Sequence, residues 1–132
     1  MAVVGMLMSA IFRVQLANPG ESSLLYNLLP GSWINEAGAL NPDKYLALVT
    51  MHGTILVFWV LTAGLSGTFA NFLIPLQIGA RDMASGFLNM LSYWFFFAAT
   101  VVLISSIYVQ GGPASGGWTI YPPLSALPQA IP

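Results

Sequence analysis

The chain is a series of apolar blocks separated by polar, turn-forming segments. A helix needs about 20 apolar residues to cross a bilayer, at roughly 1.5 Å of rise per residue. The first block, residues 2–12, is shorter than that and ends at Arg13. It reads as the end of a first membrane helix (1–13) whose beginning lies outside the sequence. A cleaved leader is the alternative for such a segment, but there is no basic stretch before it and no small-residue cleavage site after it. Residues 14–43 form a loop, interrupted by Asn18-Pro19-Gly20, Pro30-Gly31-Ser32 and Asn35-Glu36-Ala37-Gly38, each a turn-forming cluster. Asn41-Pro42-Asp43 then has the order of a helix start: Asn at the N-cap, Pro in the first turn, and a carboxylate at the positive end of the dipole.

The second block predicts a membrane helix over 44–77, with Pro75 set to kink or end it. Gly64, Ser66, Gly67 and Ala70 give it a patch of small residues suited to close helix packing. Gly79-Ala80-Arg81-Asp82 makes a polar turn within 78–83. A third helix over 84–109, rich in Phe, Trp, Leu and Val, ends at the glycine-dense run 111–117, and 110–132 reads as a second loop. The expected fold class is therefore all-α, a polytopic membrane helix bundle with a partial first helix and two full spans.

Composition supports lipid as the solvent. Hydrophobic residues make up 57% and charged residues 5% of the 132, against roughly 25% charged in soluble domains. The seven charges are Arg13, Glu21, Glu36, Asp43, Lys44, Arg81 and Asp82, too few to cover a water-soluble globule of this size. A net charge of −1 without a basic patch argues against a nucleic-acid partner. With no cysteine, disulfides and thiolate metal sites are excluded. Lys44 and Arg81 lie at opposite ends of the second span, so the positive-inside rule does not orient it.

Polar groups inside a span are costly and point to function. His52, the single histidine, lies about two turns into the second span. A neutral imidazole there is either an iron ligand or a hydrogen-bonded packing residue, and position alone leaves both open. Tyr45, seven residues earlier, shares its face. It is either a donor to an acidic group of a cofactor held by His52 or an interfacial tyrosine. Along a straight helix Asn71 lies roughly 28 Å from His52, so Asn71, Asp82, Asn89 and Ser92 gather near the opposite membrane face. A carboxylate at the water edge followed by amides and a hydroxyl could collect protons and order a chain of waters. Helix capping by Asp82 and interhelical hydrogen bonds by the asparagines are the structural alternatives.

The run His52-Gly53-Thr54, the run Asn71-Phe72-Leu73-Ile74-Pro75-Leu76-Gln77-Ile78-Gly79-Ala80-Arg81-Asp82-Met83-Ala84, the segment 89–94 and Gly117-Trp118-Thr119-Ile120-Tyr121-Pro122-Pro123-Leu124 together resemble subunit I of the heme–copper terminal oxidases. Arg13 followed by Asn18-Pro19-Gly20 continues the match, which covers nearly the whole chain in order. The resemblance implies a twelve-helix subunit of which this chain is the N-terminal part. It implies that His52 is one axial ligand of a low-spin heme, of heme a type. Arg13 would lie beside that heme's ring substituent, Tyr45 near a propionate, and Trp118 and Tyr121 in an outer loop over the propionates. Asp82 would stand at the mouth of a proton channel lined by Asn71, Asn89 and Ser92. The other axial ligand, a second heme and copper are expected from parts of the subunit beyond this chain.

The implied activity is that of a proton-pumping cytochrome c oxidase, working with subunits II and III, cytochrome c and membrane lipid. A partial sequence alone is not expected to be active; a naturally split subunit is the other explanation for the missing parts. Arg81, the run Ser85-Gly86-Phe87-Leu88, and Met90 depart from the common family pattern. They look more like bacterial oxidases of the cell membrane than mitochondrial ones. A quinol oxidase of the same superfamily and a non-catalytic membrane module are the rival readings. The first is distinguished by the copper site of its partner subunit, the second by its failure to bind heme.

Overall fold

The computed structural model describes residues 1–19 and 24–126. Three long helices dominate: α1 (Ala2–Ala17), α2 (Pro42–Ile78) and α3 (Gly86–Ser105). No strand occurs among the described residues; a single antiparallel bridge pairs Ile34 with Leu40. Both α2 and α3 are long and apolar enough to cross a membrane.

Helix α1 runs four residues past Arg13, to Ala17. One arginine does not end a helix, because Val14, Gln15, Leu16 and Ala17 all continue it. Termination falls at Asn18-Pro19, with the Asn18 N–H bonded to the Val14 carbonyl at 3.0 Å. Gly20 and Glu21 lie outside the described residues. Between α1 and α2 the loop is ordered by short turns. Asn35 closes one by accepting the Ala39 N–H on its side chain at 2.9 Å, and Gly38 takes φ +80° there, a conformation glycine adopts without strain.

Helix α2 starts as the Asn41-Pro42-Asp43 order predicts, but the Asn41 side chain makes no capping bond. Its amide donates instead to the Ser32 carbonyl at 3.4 Å, tying the helix start to the loop. Further along, α2 departs from α geometry twice, with π-helical turns at Ile55–Gly64 and Phe69–Leu73. The Thr62 hydroxyl donates to the carbonyl five residues back, at Val57 (2.8 Å), in keeping with the wider turn. Pro75 neither ends nor breaks the helix. It stands at the start of the last α-helical turn, directly after the second π-helical segment, which takes up the hydrogen bond a proline cannot donate. The helix closes at Gly79, φ +69°. The Gly79 N–H bonds to Leu76 and the Ala80 N–H to Pro75, at 3.3 and 2.9 Å, a Schellman closure.

Helix α3 begins at Gly86 rather than 84, and its cap is Ser85, whose hydroxyl accepts the Leu88 N–H at 3.3 Å. Asp82 lies too early to serve; its carboxylate accepts the N–H of Met83 at 2.7 Å. The helix ends at Ser105, four residues before the expected 109, in tight turns through Ile107 and Tyr108.

Helices α1 and α2 pack antiparallel. Gly5, Met8 and Ile11 face Ala47, Leu48, Met51 and Ile55, with Leu48 and Ile55 fully buried. Gly5 permits the close approach: a Cβ there would meet Leu56 Cδ2 at 2.9 Å and Ile55 Cγ2 at 3.3 Å. Helix α3 buries none of its own residues. Near its C-terminal end Leu103 packs against the buried cluster, which includes Ile107 just beyond the helix.

Candidate heme and proton-path sites

His52 lies on the buried side of α2, facing α1. Its Nδ1 is 2.8 Å from the carbonyl oxygen of Gly5. A carbonyl only accepts, so Nδ1 carries the proton and donates. The imidazole is thereby fixed in one tautomer with the Nε2 lone pair available. Among the described residues Nε2 makes no hydrogen bond. Phe12 packs edge-on against the imidazole, with ring centroids 5.4 Å apart, and edge-on against Tyr45 at 6.1 Å. Arg13, the next residue, is exposed. One face of the α1–α2 pair thus collects His52, Tyr45 and Phe12.

The second loop comes back over this region. Buried Thr50, two residues before His52, accepts the Gly117 N–H at 3.0 Å and donates to the Leu46 carbonyl at 2.9 Å. Trp118 lies across Gly53: a Cβ on that glycine would stand 2.9 Å from Trp118 Cδ1. Its indole also meets Phe58 edge-on at 6.2 Å. Lys44 holds the start of the same loop, its ammonium donating to the Gly111 carbonyl and lying 5.8 Å above the Trp33 ring. Tyr121 is exposed and stands apart from these contacts.

The other polar set divides. Asn71, Asn89 and Ser92 line one cavity of about 650 Å³ between α2 and α3, together with Thr68, Trp59 and Phe96. Asp82 is not among the lining residues. Ser92 donates to the Asn89 carbonyl at 2.7 Å and Thr68 to the Gly64 carbonyl at 2.7 Å. Both hydroxyl oxygens keep lone pairs that can accept from water.

Among the described residues, no three His, Cys, Asp or Glu side chains come together to hold a metal ion. The sequence pattern of the family described as Cytochrome C and Quinol oxidase polypeptide I matches residues 1–132. The chain belongs to this family. Like the other members it is an integral membrane protein, and a heme–copper oxidase is expected to carry heme and copper. It is 42% identical over 125 residues to the alternative cytochrome c oxidase subunit 1 of Bradyrhizobium diazoefficiens, covering 95% of this chain and 19% of that protein. Cytochrome c oxidase subunit 1 of Thermostichus vulcanus is 40% identical over 126 residues, with the same coverage. That of Cereibacter sphaeroides is 33% identical over 138 residues, covering 93% of this chain and 24% of that protein. The chain therefore spans about a fifth of the length of these relatives. No solved structure matches it.

Several residues of this oxidase family member shape the candidate site without standing out in the sequence. Gly5 orients His52 through a backbone carbonyl, which any residue type possesses. Phe12 and Thr50 look like ordinary span residues. The available signals were Gly5 inside an apolar block and Gly53 beside the single histidine, both places where a backbone comes close to something else.

Proposed function

We propose that this chain supplies one axial heme ligand and part of the proton entry path of a bacterial cytochrome c oxidase. The intact protein would take electrons from cytochrome c and reduce oxygen to water in the cell membrane. The observation that carries the reading is the His52–Gly5 hydrogen bond, because it leaves one imidazole nitrogen free in a fixed orientation. That is what a helix-borne axial ligand requires, and a histidine held at one nitrogen by a backbone carbonyl is the usual way to obtain it.

The residues present fit a heme. His52 would hold the iron through Nε2. Phe12 restrains the imidazole plane, and Arg13 and Tyr45 would act as donors for polar ring substituents. Trp118, seated on Gly53, shields this region from the outer water. When bound, the heme supplies a one-electron relay. The second axial ligand, the second heme and the copper are assigned to the rest of the subunit, and subunits II and III are its expected partners.

Asp82 would collect protons at the inner surface. Asn71, Asn89 and Ser92 would order waters in the cavity they share, their amides and hydroxyl offering both donors and acceptors. The relatives named as cytochrome c oxidases favour cytochrome c over quinol as the donor.

The test is His52→Ala in the full-length subunit. The low-spin heme absorbance should disappear; its survival would remove the ligand assignment. Asp82→Asn should slow proton uptake and turnover with the heme bands unchanged, and wild-type turnover would remove the entry-path assignment.

A further inference from the structure

Among the described residues Thr50 is the one buried polar residue. Its hydroxyl hydrogen goes to the Leu46 carbonyl at 2.9 Å, the ordinary local bond of a threonine inside a helix. Thr54 makes the same kind of bond, to the Thr50 carbonyl. A second bond sets Thr50 apart: its oxygen accepts the main-chain N–H of Gly117, 67 positions away, at 3.0 Å. The hydroxyl thus both donates and accepts, and a partly buried loop amide gains its partner.

That bond fixes the backbone one residue before Trp118. On the other side, the Gly117 carbonyl accepts the Ile120 N–H at 3.1 Å, closing a turn around Trp118. Gly117 holds φ +88°, which glycine adopts without strain. The turn delivers the indole to Gly53, where the missing side chain leaves room. A Cβ there would lie 2.9 Å from Trp118 Cδ1 and 3.2 Å from its Cβ and Cγ. Thr50 and Gly53 are three residues apart and share one face of α2, whereas His52 is turned toward Gly5 of α1. Trp118 still exposes 45% of its surface. Burial therefore holds it weakly, and its place depends on the Thr50 bond.

We propose that Thr50 is a positioning residue for the candidate heme site: by holding the Gly117 amide it seats Trp118 on Gly53 and keeps outer water from the His52 end of α2. It acts through Trp118 and not through the imidazole. The consequence for a heme rests on the reading of His52 as its ligand. Water near a heme favours the more highly charged, oxidised iron, so unseating Trp118 lowers the reduction potential.

The experiment uses the intact oxidase and two measurements: hydrogen exchange at the Gly117 amide, and a redox titration of the low-spin heme absorbance. Thr50→Val nearly keeps the shape and removes the acceptor. The Gly117 amide should exchange about tenfold faster, the factor for a donor left without its partner, and the heme midpoint should shift negative. Thr50→Ser keeps the hydroxyl and should match the wild type in both measurements. Trp118→Ala should shift the midpoint in the same direction. Combining it with Thr50→Val should shift it no further, since both changes act through one indole. Thr50→Ala, read in the same way, stands in if the valine variant does not assemble.

Wild-type exchange at Gly117 in Thr50→Val, or a wild-type midpoint in that variant, overturns the role. An additive double variant also overturns it, because Thr50 would then act by a route other than Trp118. His52→Ala is measured alongside. Loss of the low-spin band there, with an unchanged midpoint in Thr50→Val, rejects the positioning role alone. Retention of the band rejects the ligand reading and the proposal with it.

Discussion

The two faces of α2 are built on opposite plans. Toward α1 the contact is dry and close: Gly5 lets the backbones approach, Leu48 and Ile55 are fully buried, and the polar bond across the interface fixes a histidine. Toward α3 there is a cavity, a lining of amides and hydroxyls, and, among the described residues, one indole bond across the gap, from Trp59 to Thr100. An axial ligand must be held to a fraction of an ångström, which favours rigid packing. A path for water needs volume and unsatisfied polar groups, which close packing removes. Under the proposed function one helix would serve both purposes, because its two faces carry different residues.

Substitutions in the two regions test this contrast. Gly5→Val should be the most damaging, because the added atoms collide with Leu56 and Ile55; overpacking of this kind costs about 1–3 kcal/mol. Thermal denaturation in detergent would show it, with a perturbed low-spin heme band because the Gly5 carbonyl moves away from His52. A wild-type midpoint would mean the α1–α2 contact is looser than it looks. Next is Gln15→Leu. The Gln15 side-chain oxygen accepts the Tyr26 hydroxyl at 2.6 Å and the Leu40 N–H at 3.1 Å, and Tyr26 and Leu40 are both buried. Stranding these donors should cost about 2 kcal/mol and should open the segment around 24–40 to limited proteolysis.

On the cavity side the sign should reverse. A Cβ on Gly67 meets nothing within 4 Å, so Gly67→Ala should stabilise the helix by about 0.5–1 kcal/mol. A loss in the same melting assay would show that this face is packed after all. The smallest expected effect is an alkaline one. Burial pushes the Tyr26 phenol above its ordinary 10.0, so the folded form holds this proton more tightly than the unfolded form does. Its contribution is whole below pH 10 and is lost as pH rises through the raised value. Alkaline unfolding should therefore be steeper in the wild type than in Tyr26→Phe, and identical curves would sever Tyr26 from the loop's stability.

The elements of this fold were legible where local chemistry decides them. The Asn41-Pro42-Asp43 start, the Gly79 closure and the two long spans all follow from residues within a few positions of each other. A boundary slipped where a single residue was given too much weight: Arg13 did not end α1, which runs to Ala17. The asparagine–serine grouping could be anticipated because helical spacing and span length place those residues at one membrane level. The partner of His52 could not, since Gly5 is 47 positions away and acts through its backbone. The Trp59–Thr100 bond is hidden for the same reason, 41 positions apart across two helices. The π-helical turns leave no pattern in residue type, because they reflect how neighbouring helices and Pro75 redistribute backbone hydrogen bonds.

Those widened turns between residues 55 and 73 separate the histidine end of α2 from the asparagine end. In an ordinary helix, inserting or deleting one residue swings everything beyond it by about 100°, which would carry Asn71 away from α3 or His52 away from α1. A stretch that already holds surplus backbone can gain or lose a residue by changing how many turns are wide. The membrane span can thus change length in evolution while each end keeps its heading.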